Sequence, residues 1–225
     1  MFLNQPQQDV PVAAHDSVTL YQIGQNNLAN FSQFVFDMYS YHYFKKYQWY
    51  PTIHDLYKMQ QSDQEQFQHS VYFGYRNKQN QILGTIKATR KDEGVIFPIE
   101  YEFEVDLEQI IQEKELKVNE VWHLGRLAID SNTLRSQKLP ITSRQMFRYL
   151  LIHSLGVINH HPNNLMIAES DVLIYEIFHS LGLNMQVVGK LRQCLGSPTY
   201  PVIITGEDMH KWLSQNPLPN YNKSE

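Results

Sequence analysis

Hydrophobic positions along the chain switch between the helical period and the alternation of strands. Val18–Ile23 reads as a short strand. Asn27–Tyr47 then places Phe31, Phe34, Val35, Met38, Tyr39 and His42 on one side at helical spacing. Pro51 separates this helix from a shorter one over Ile53–Met59. Ser70–Arg76 sets Val71, Phe73 and Tyr75 against Tyr72 and Gly74, NKQNQ turns the chain, and Ile82–Thr89 returns, which is a hairpin pattern. Leu107–Leu116 reads as an inserted charged helix and Val118–Ile129 as the next long strand. Thr142–Asn159 is helical, with Met146, Phe147, Leu150, Leu151, Ser154 and Leu155 inward. Asn164–Ala168 is a strand, and Asp171–Leu181 is a helix that Gly182 ends. Met185–Val188 and Tyr200–Thr205 close a sheet, and Glu207–Leu213 adds a last helical turn or two. This order predicts an α/β (α+β) domain, a mixed sheet with helices on both faces.

The predicted strand Val121–Asp130, VWHLGRLAID, holds two polar residues, His123 and Arg126. Charges inside strands are costly unless paired. Three apart on a regular strand, the two side chains point to opposite faces, so each needs its own explanation.

At 225 residues with a net charge of −4, the chain lacks the strongly basic face expected of a general nucleic-acid binder. A single cysteine, Cys194, excludes an internal disulfide and fits a reducing, cytoplasmic setting. The first residues have neither the basic nor the apolar region of a secretory signal, and no run of 18 apolar residues suggests a membrane span. Neither CxxC nor HExxH occurs, so no metal site is expected. Residues 1–16, rich in Gln and Pro, read as a flexible lead-in, 17–214 as one domain and 215–225 as a flexible tail.

Four segments carry a family resemblance. They are ILGTIKATR with FPIEYEF, HLGRLAID, LMIAESDVLIYEIFHSLGLNMQVVG, and LGSPTYPVII. In this order and spacing the chain resembles the GCN5-related N-acetyltransferase (GNAT) fold. Within it, the chain is most similar to the branch of acyl-homoserine-lactone synthases and N-acyl amino acid synthases. The resemblance covers about Asn27 to Thr205 and implies a mostly antiparallel central sheet that splays between its fourth and fifth strands. Arg126 matches the branch's motif. The branch's glutamate falls on His123, and its hairpin arginine on Lys87. The wider fold's glycine-rich pyrophosphate loop becomes SNTLRSQKLPITSRQ, where Pro140 removes a donor. A tyrosine that often serves as acid for the leaving thiolate is Phe178 here. The acidic N-terminal cluster of the homoserine-lactone synthases is not cleanly present, Asp63 and Glu65 before His69 being the nearest match, which favours N-acyl amino acid synthesis over lactone synthesis.

The resemblance implies an N-acyltransferase moving a fatty acyl group from a thioester to a small amine acceptor such as an amino acid. It implies no permanently bound cofactor, only the acyl-phosphopantetheine of an acyl carrier protein, or acyl-CoA, as co-substrate. The backbone at Leu127 would hold the oxyanion, with Ala128 and Ile129 bonded to the pantetheine arm. His123, or Glu120 upstream, would serve the amine, and the planar fork of Arg126 suits a carboxylate. Arg126 could instead be a structural pair with Glu100, Glu102 or Glu169. Lys87 and Glu169 are candidate acceptor contacts. Arg135, Lys138, Arg144 and Arg148 form a basic stretch with no acidic residue, where the fold meets the phosphate end of its donor. One phosphate and an acidic helix suit that stretch better than CoA does, which favours a carrier protein as partner. The aromatic helix FVFDMYSYHYFKKYQWY reads as core or lid, and could wall an acyl tunnel. The competing readings are an acetyl-CoA-dependent acetyltransferase and an inactive acyl-binding module; weak membrane contact is compatible with all three.

Overall fold

The computed structural model describes residues 5–15 and 17–218; the parts of the expected lead-in and tail at 1–4, Asp16 and 219–225 lie outside the described residues. The chain begins with the hairpin β1 (Val10–His15) and β2 (Val18–Gln22), followed by α1 (Leu28–Tyr47) and α2 (Ile53–Glu65). A second hairpin, β3 (Ser70–Asn77) and β4 (Ile82–Arg90), leads to α3 (Pro98–Tyr101) and α4 (Leu107–Glu113). Then come β5 (Val121–Ile129), α5 (Ser131–Ser136), α6 (Ser143–Ile158), β6 (Leu165–Asp171) and α7 (Val172–Ser180). β7 (Gln186–Val187), β8 (Arg192–Cys194), β9 (Ser197–Ile204) and α8 (Gly206–Gln215) complete it.

Among the described residues the sheet has nine strands in the order β1-β2-β3-β4-β5-β6-β9-β7, with β8 also on β9. Every neighbouring pair is antiparallel except β5–β6. One face packs against α6 through Trp122, Leu124, Met146 and Leu150. On the other face α1 packs through its Phe31 and Val35 in a cluster with Tyr72 of β3.

Three differences from the sequence reading have local causes. Val10–His15, taken as part of a loose lead-in, is an edge strand. Its pairing is main-chain and its side chains are mostly exposed, so no apolar alternation announces it. Asp9 anchors it, paired with Arg76 at 2.8 Å and accepting from the Gly24 N–H. The β8–β9 hairpin turns on Leu195 and Gly196, both at positive φ of 50° and 77°, without the Asn-Gly signal such turns usually carry. Helix α2 runs on to Glu65 rather than ending at Met59, which brings Asp63 into the sheet's underside.

Candidate active site

On the α6 face of β5 the apolar positions are Trp122 and Leu124, then Leu127 and Ile129. The alternation slips by one residue. The slip is a β-bulge: Gly125 pairs with Lys87 and Ala128 with Thr85, leaving both Arg126 and Leu127 opposite Ile86. Arg126 takes the left-handed conformation at φ 56°, which costs a non-glycine residue about 1–2 kcal/mol. The Thr85 hydroxyl donates to its carbonyl at 2.9 Å. The bulge corrects the expectation that His123 and Arg126 face opposite ways. Both turn toward the face of α1 and α2, which Lys87 also occupies.

There they meet Asp63, whose side chain is fully buried (0 % exposed) beside Lys87 at 4 % and Arg126 at 23 %. Lys87 Nζ donates to Asp63 Oδ1 at 2.9 Å and to Gln66 Oε1 at 2.6 Å. Arg126 Nε reaches both carboxylate oxygens, at 3.1 and 3.3 Å, and Ser32 donates at 2.8 Å. Burial alone would raise the Asp63 carboxyl. The charges of Arg126 and Lys87, with the hydrogen bonds from Lys87 and Ser32, outweigh burial and hold it below the usual carboxylate range. At Lys87 the balance reverses: burial, aided by the Arg126 charge, overcomes Asp63 and pulls the ammonium down to about 8. One carboxylate shared by two cations explains both directions. Only Nε of Arg126 bonds among the described residues, so its two Nη groups remain for an incoming group.

His123 Nε2 lies 2.8 Å from Glu169 Oε2, and its ring stacks on Phe97 at 4.8 Å. A carboxylate only accepts, so Nε2 is the donor in this bond, and in a neutral imidazole the lone pair is then on Nδ1. Gly125 is required beneath the ring, because a Cβ there would stand 2.9 Å from His123 Cε1. Glu169 Oε1 is buried without a hydrogen-bond partner among the described residues.

Pairing of β5 with β6 stops at His123↔Ile167, and beyond it the strands diverge. A cavity of about 820 Å³ occupies the splay. Leu124–Ile129 and Ala168–Asp171 form its two strand walls, Tyr39, Tyr43 and Tyr47 of α1 cover one side, and Phe147, Ile174, Ile177 and Phe178 the other. Tyr43 bridges the opening by donating to Asp171 Oδ2 at 3.2 Å, while Asp171 Oδ1 caps α7.

A nine-stranded, mostly antiparallel sheet opening between two parallel central strands invites comparison with known structures. No protein-family model and no curated protein matches the chain. Among solved structures, FeeM, an N-acyl amino acid synthase from uncultured soil microbes, is 14% identical with a TM-score of 0.52, covering 92% of this chain and 95% of FeeM. TofI, solved with an inhibitor and MTA, is 14% identical with a TM-score of 0.51, covering 88% and 96%. An acetyltransferase of the GNAT family from Staphylococcus aureus Mu50 is 10% identical with a TM-score of 0.51, covering 84% and 98%. The chain has the GNAT fold. The expected splay between the fourth and fifth predicted strands is the β5–β6 opening.

On this GNAT framework the candidate residues divide. Arg126, Leu127, Ala128, Ile129, Arg144 and Glu169 line the cavity, and His123 and Lys87 stand behind it on the same sheet face. Glu120 does not join them: it accepts from Trp122 Nε1 at 3.0 Å and pairs with Arg90 and His160, facing α6. Arg126 pairs with none of the three glutamates considered for it. Glu169 belongs to His123, Glu100 to Lys91, and Glu102 accepts from Cys194. Lys87 is buried and ion-paired rather than solvated. Of the basic stretch only Arg144 reaches the cavity. Arg135 folds back on Ser131 and Asn132, Lys138 is exposed, and Arg148 bonds Asn216. Two cations of α1, Lys45 and Lys46, stand in the cavity wall. Asp63 carried a readable signal, since it lies four residues after Met59 and seven after Leu56 on the apolar stripe of α2.

Proposed function

We propose that the protein is an N-acyltransferase that moves a fatty acyl group from an acyl carrier protein's phosphopantetheine thioester to the amine of a small, carboxylate-bearing acceptor such as an amino acid. The observation that carries this reading is the apolar cavity through the β5–β6 splay. Its 820 Å³ lies in the upper part of the range of about 300–1,000 Å³ usual for small-molecule sites, which suits a long chain more than an acetyl group.

The amine nitrogen attacks the thioester carbonyl, the carbon–sulfur bond breaks, and the amine's proton ends on the departing thiolate. The backbone N–H at Leu127, in the bulged segment beside the open edge, is the proposed oxyanion donor. His123 offers Nδ1 as proton acceptor, its tautomer held by Glu169. The free Nη groups of Arg126 suit an acceptor carboxylate bidentately. One carboxylate and two cations leave this cluster with a net positive charge.

Lys87 gives that charge a pH dependence. Below about pH 8 the ammonium is protonated and the cluster attracts a carboxylate; above it the net charge vanishes. The KM for a carboxylate-bearing acceptor is therefore expected to rise as pH passes about 8. Lys87→Arg, which stays charged, should flatten that rise; a rise unchanged in the variant contradicts the assignment.

The start of α6, at the cavity wall, suits one class of donor. The Thr142–Gln145 capping box occupies the Gln145 N–H of α6, while Ser143 and Arg144, whose N–H groups have no partner within the helix, line the cavity. With Pro140 in the preceding loop, this cradle suits one phosphate better than a pyrophosphate. Acyl carrier protein and acyl-CoA donors of equal chain length, compared at low and moderate salt, test it. The carrier-bound donor should turn over faster and lose rate with salt. A CoA donor that is faster and salt-insensitive overturns the carrier assignment.

A further inference from the structure

Among the described residues, five of the thirteen exposed large hydrophobic side chains lie within residues 41–57: Tyr41, Phe44, Tyr50, Ile53 and Tyr57, the last three at 71%, 61% and 60% exposure. They occupy the end of α1, the link to α2 and the first turns of α2. Phe44 and Tyr50 pack edge to face at 5.1 Å, which joins the end of α1 to the link before α2. Lys45, Lys46 and Lys58 are exposed within or beside it, and Lys45 Nζ sits 5.9 Å over the Tyr41 ring. The segment's one carboxylate, Asp55, is engaged in capping α2 with Thr52. The patch is thus aromatic and cationic in a chain whose net charge is −4.

We propose that this surface seats the protein on an anionic membrane, with the cavity mouth at the bilayer interface. Aromatic rings with polar tips, interleaved with lysines, match the headgroup boundary: the rings enter the acyl edge and the ammonium groups meet lipid phosphates. The charge sign selects anionic lipid over a basic partner. Continuity with the cavity supports the orientation, because Tyr43, Lys45, Lys46 and Tyr47 of the same turns line its wall. Among the described residues no helix is long and apolar enough to cross a membrane. The orientation rests on the acyl reading of the cavity: an N-acyl product, an amphiphile, would leave directly into the lipid layer.

The test is sedimentation of the full chain with vesicles of phosphatidylcholine alone and with vesicles containing about one third phosphatidylglycerol. The protein is expected to pellet with the anionic vesicles, less so as salt rises. The triple substitution Phe44→Ser, Tyr50→Ser, Ile53→Ser should weaken this partition about tenfold. A second readout needs no variant. Trp122 and Trp212 are buried at 2% and 1%, whereas Trp49 adjoins the patch, so brominated lipids should quench Trp49 fluorescence. Absence of vesicle binding and quenching overturns the proposal. So does a triple variant that folds and binds vesicles as well as the parent, or that loses carrier-protein binding while vesicle binding persists. Vesicle binding is independent of turnover, so active protein that ignores vesicles refutes only this inference, and inactive protein that binds them refutes only the acyltransferase reading.

Discussion

Asp63→Ala is expected to lower the unfolding free energy by about 3–5 kcal/mol, because it strands buried cations without their carboxylate. Lys87 would keep only Gln66, Arg126 would lose its carboxylate, and Ser32 would keep only the Leu28 carbonyl as acceptor. The opposite deletion is milder. Lys87→Met leaves Asp63 paired with Arg126 and removes a desolvated charge, so it should cost about 1 kcal/mol or less. Denaturant titration of the three proteins reads the asymmetry. Equal losses for the two variants would mean that the carboxylate is not the shared centre of the cluster.

Arg126→Lys is expected to reduce kcat/KM on the order of 100-fold while leaving stability within about 1 kcal/mol. Lysine keeps a cation beside Asp63 but cannot place two donors in one plane toward an acceptor. The two readouts separate a role in the reaction from a role in packing. A variant as active as the parent would make Arg126 a structural counter-ion of Asp63 and nothing more. The left-handed φ of 56° fits a residue held in a strained position for what its side chain reaches.

The order of strands and helices, and hence the splay, could be read from apolar periodicity together with four short motifs. The bulge was legible too, in the slip from Trp122 and Leu124 to Leu127 and Ile129, but strict alternation over the whole strand hides it and sends Arg126 to the wrong face. Asp63 was harder. It sits among Ser62, Gln64 and Glu65, which look like a solvated helix end; the resemblance to an acidic cluster named it, but its burial is legible in its place on the Leu56–Met59 stripe. Pairing of Glu169 with His123 required the parallel register of β5 and β6, since the two residues lie 46 apart in the chain. Nothing in the local sequence of β1 predicts an edge strand, because its pairing partner is β2's backbone. Charge alone misled at the donor end. The basic run 135–148 supplied one cavity residue, Arg144, while Lys45 and Lys46 came from a helix that reads as aromatic core.

The central claim is that the cavity between β5 and β6 presents an acyl thioester to an amine. It is tested most directly by incubating the protein with a long-chain acyl carrier protein and a panel of amino acids. Free pantetheine thiol and N-acyl product are quantified together. The account predicts amine-dependent thiol release matched one to one by N-acyl product, and loss of both in Arg126→Lys. Thiol release that ignores the amine, or a thioester that binds and stays intact with every acceptor, would contradict it.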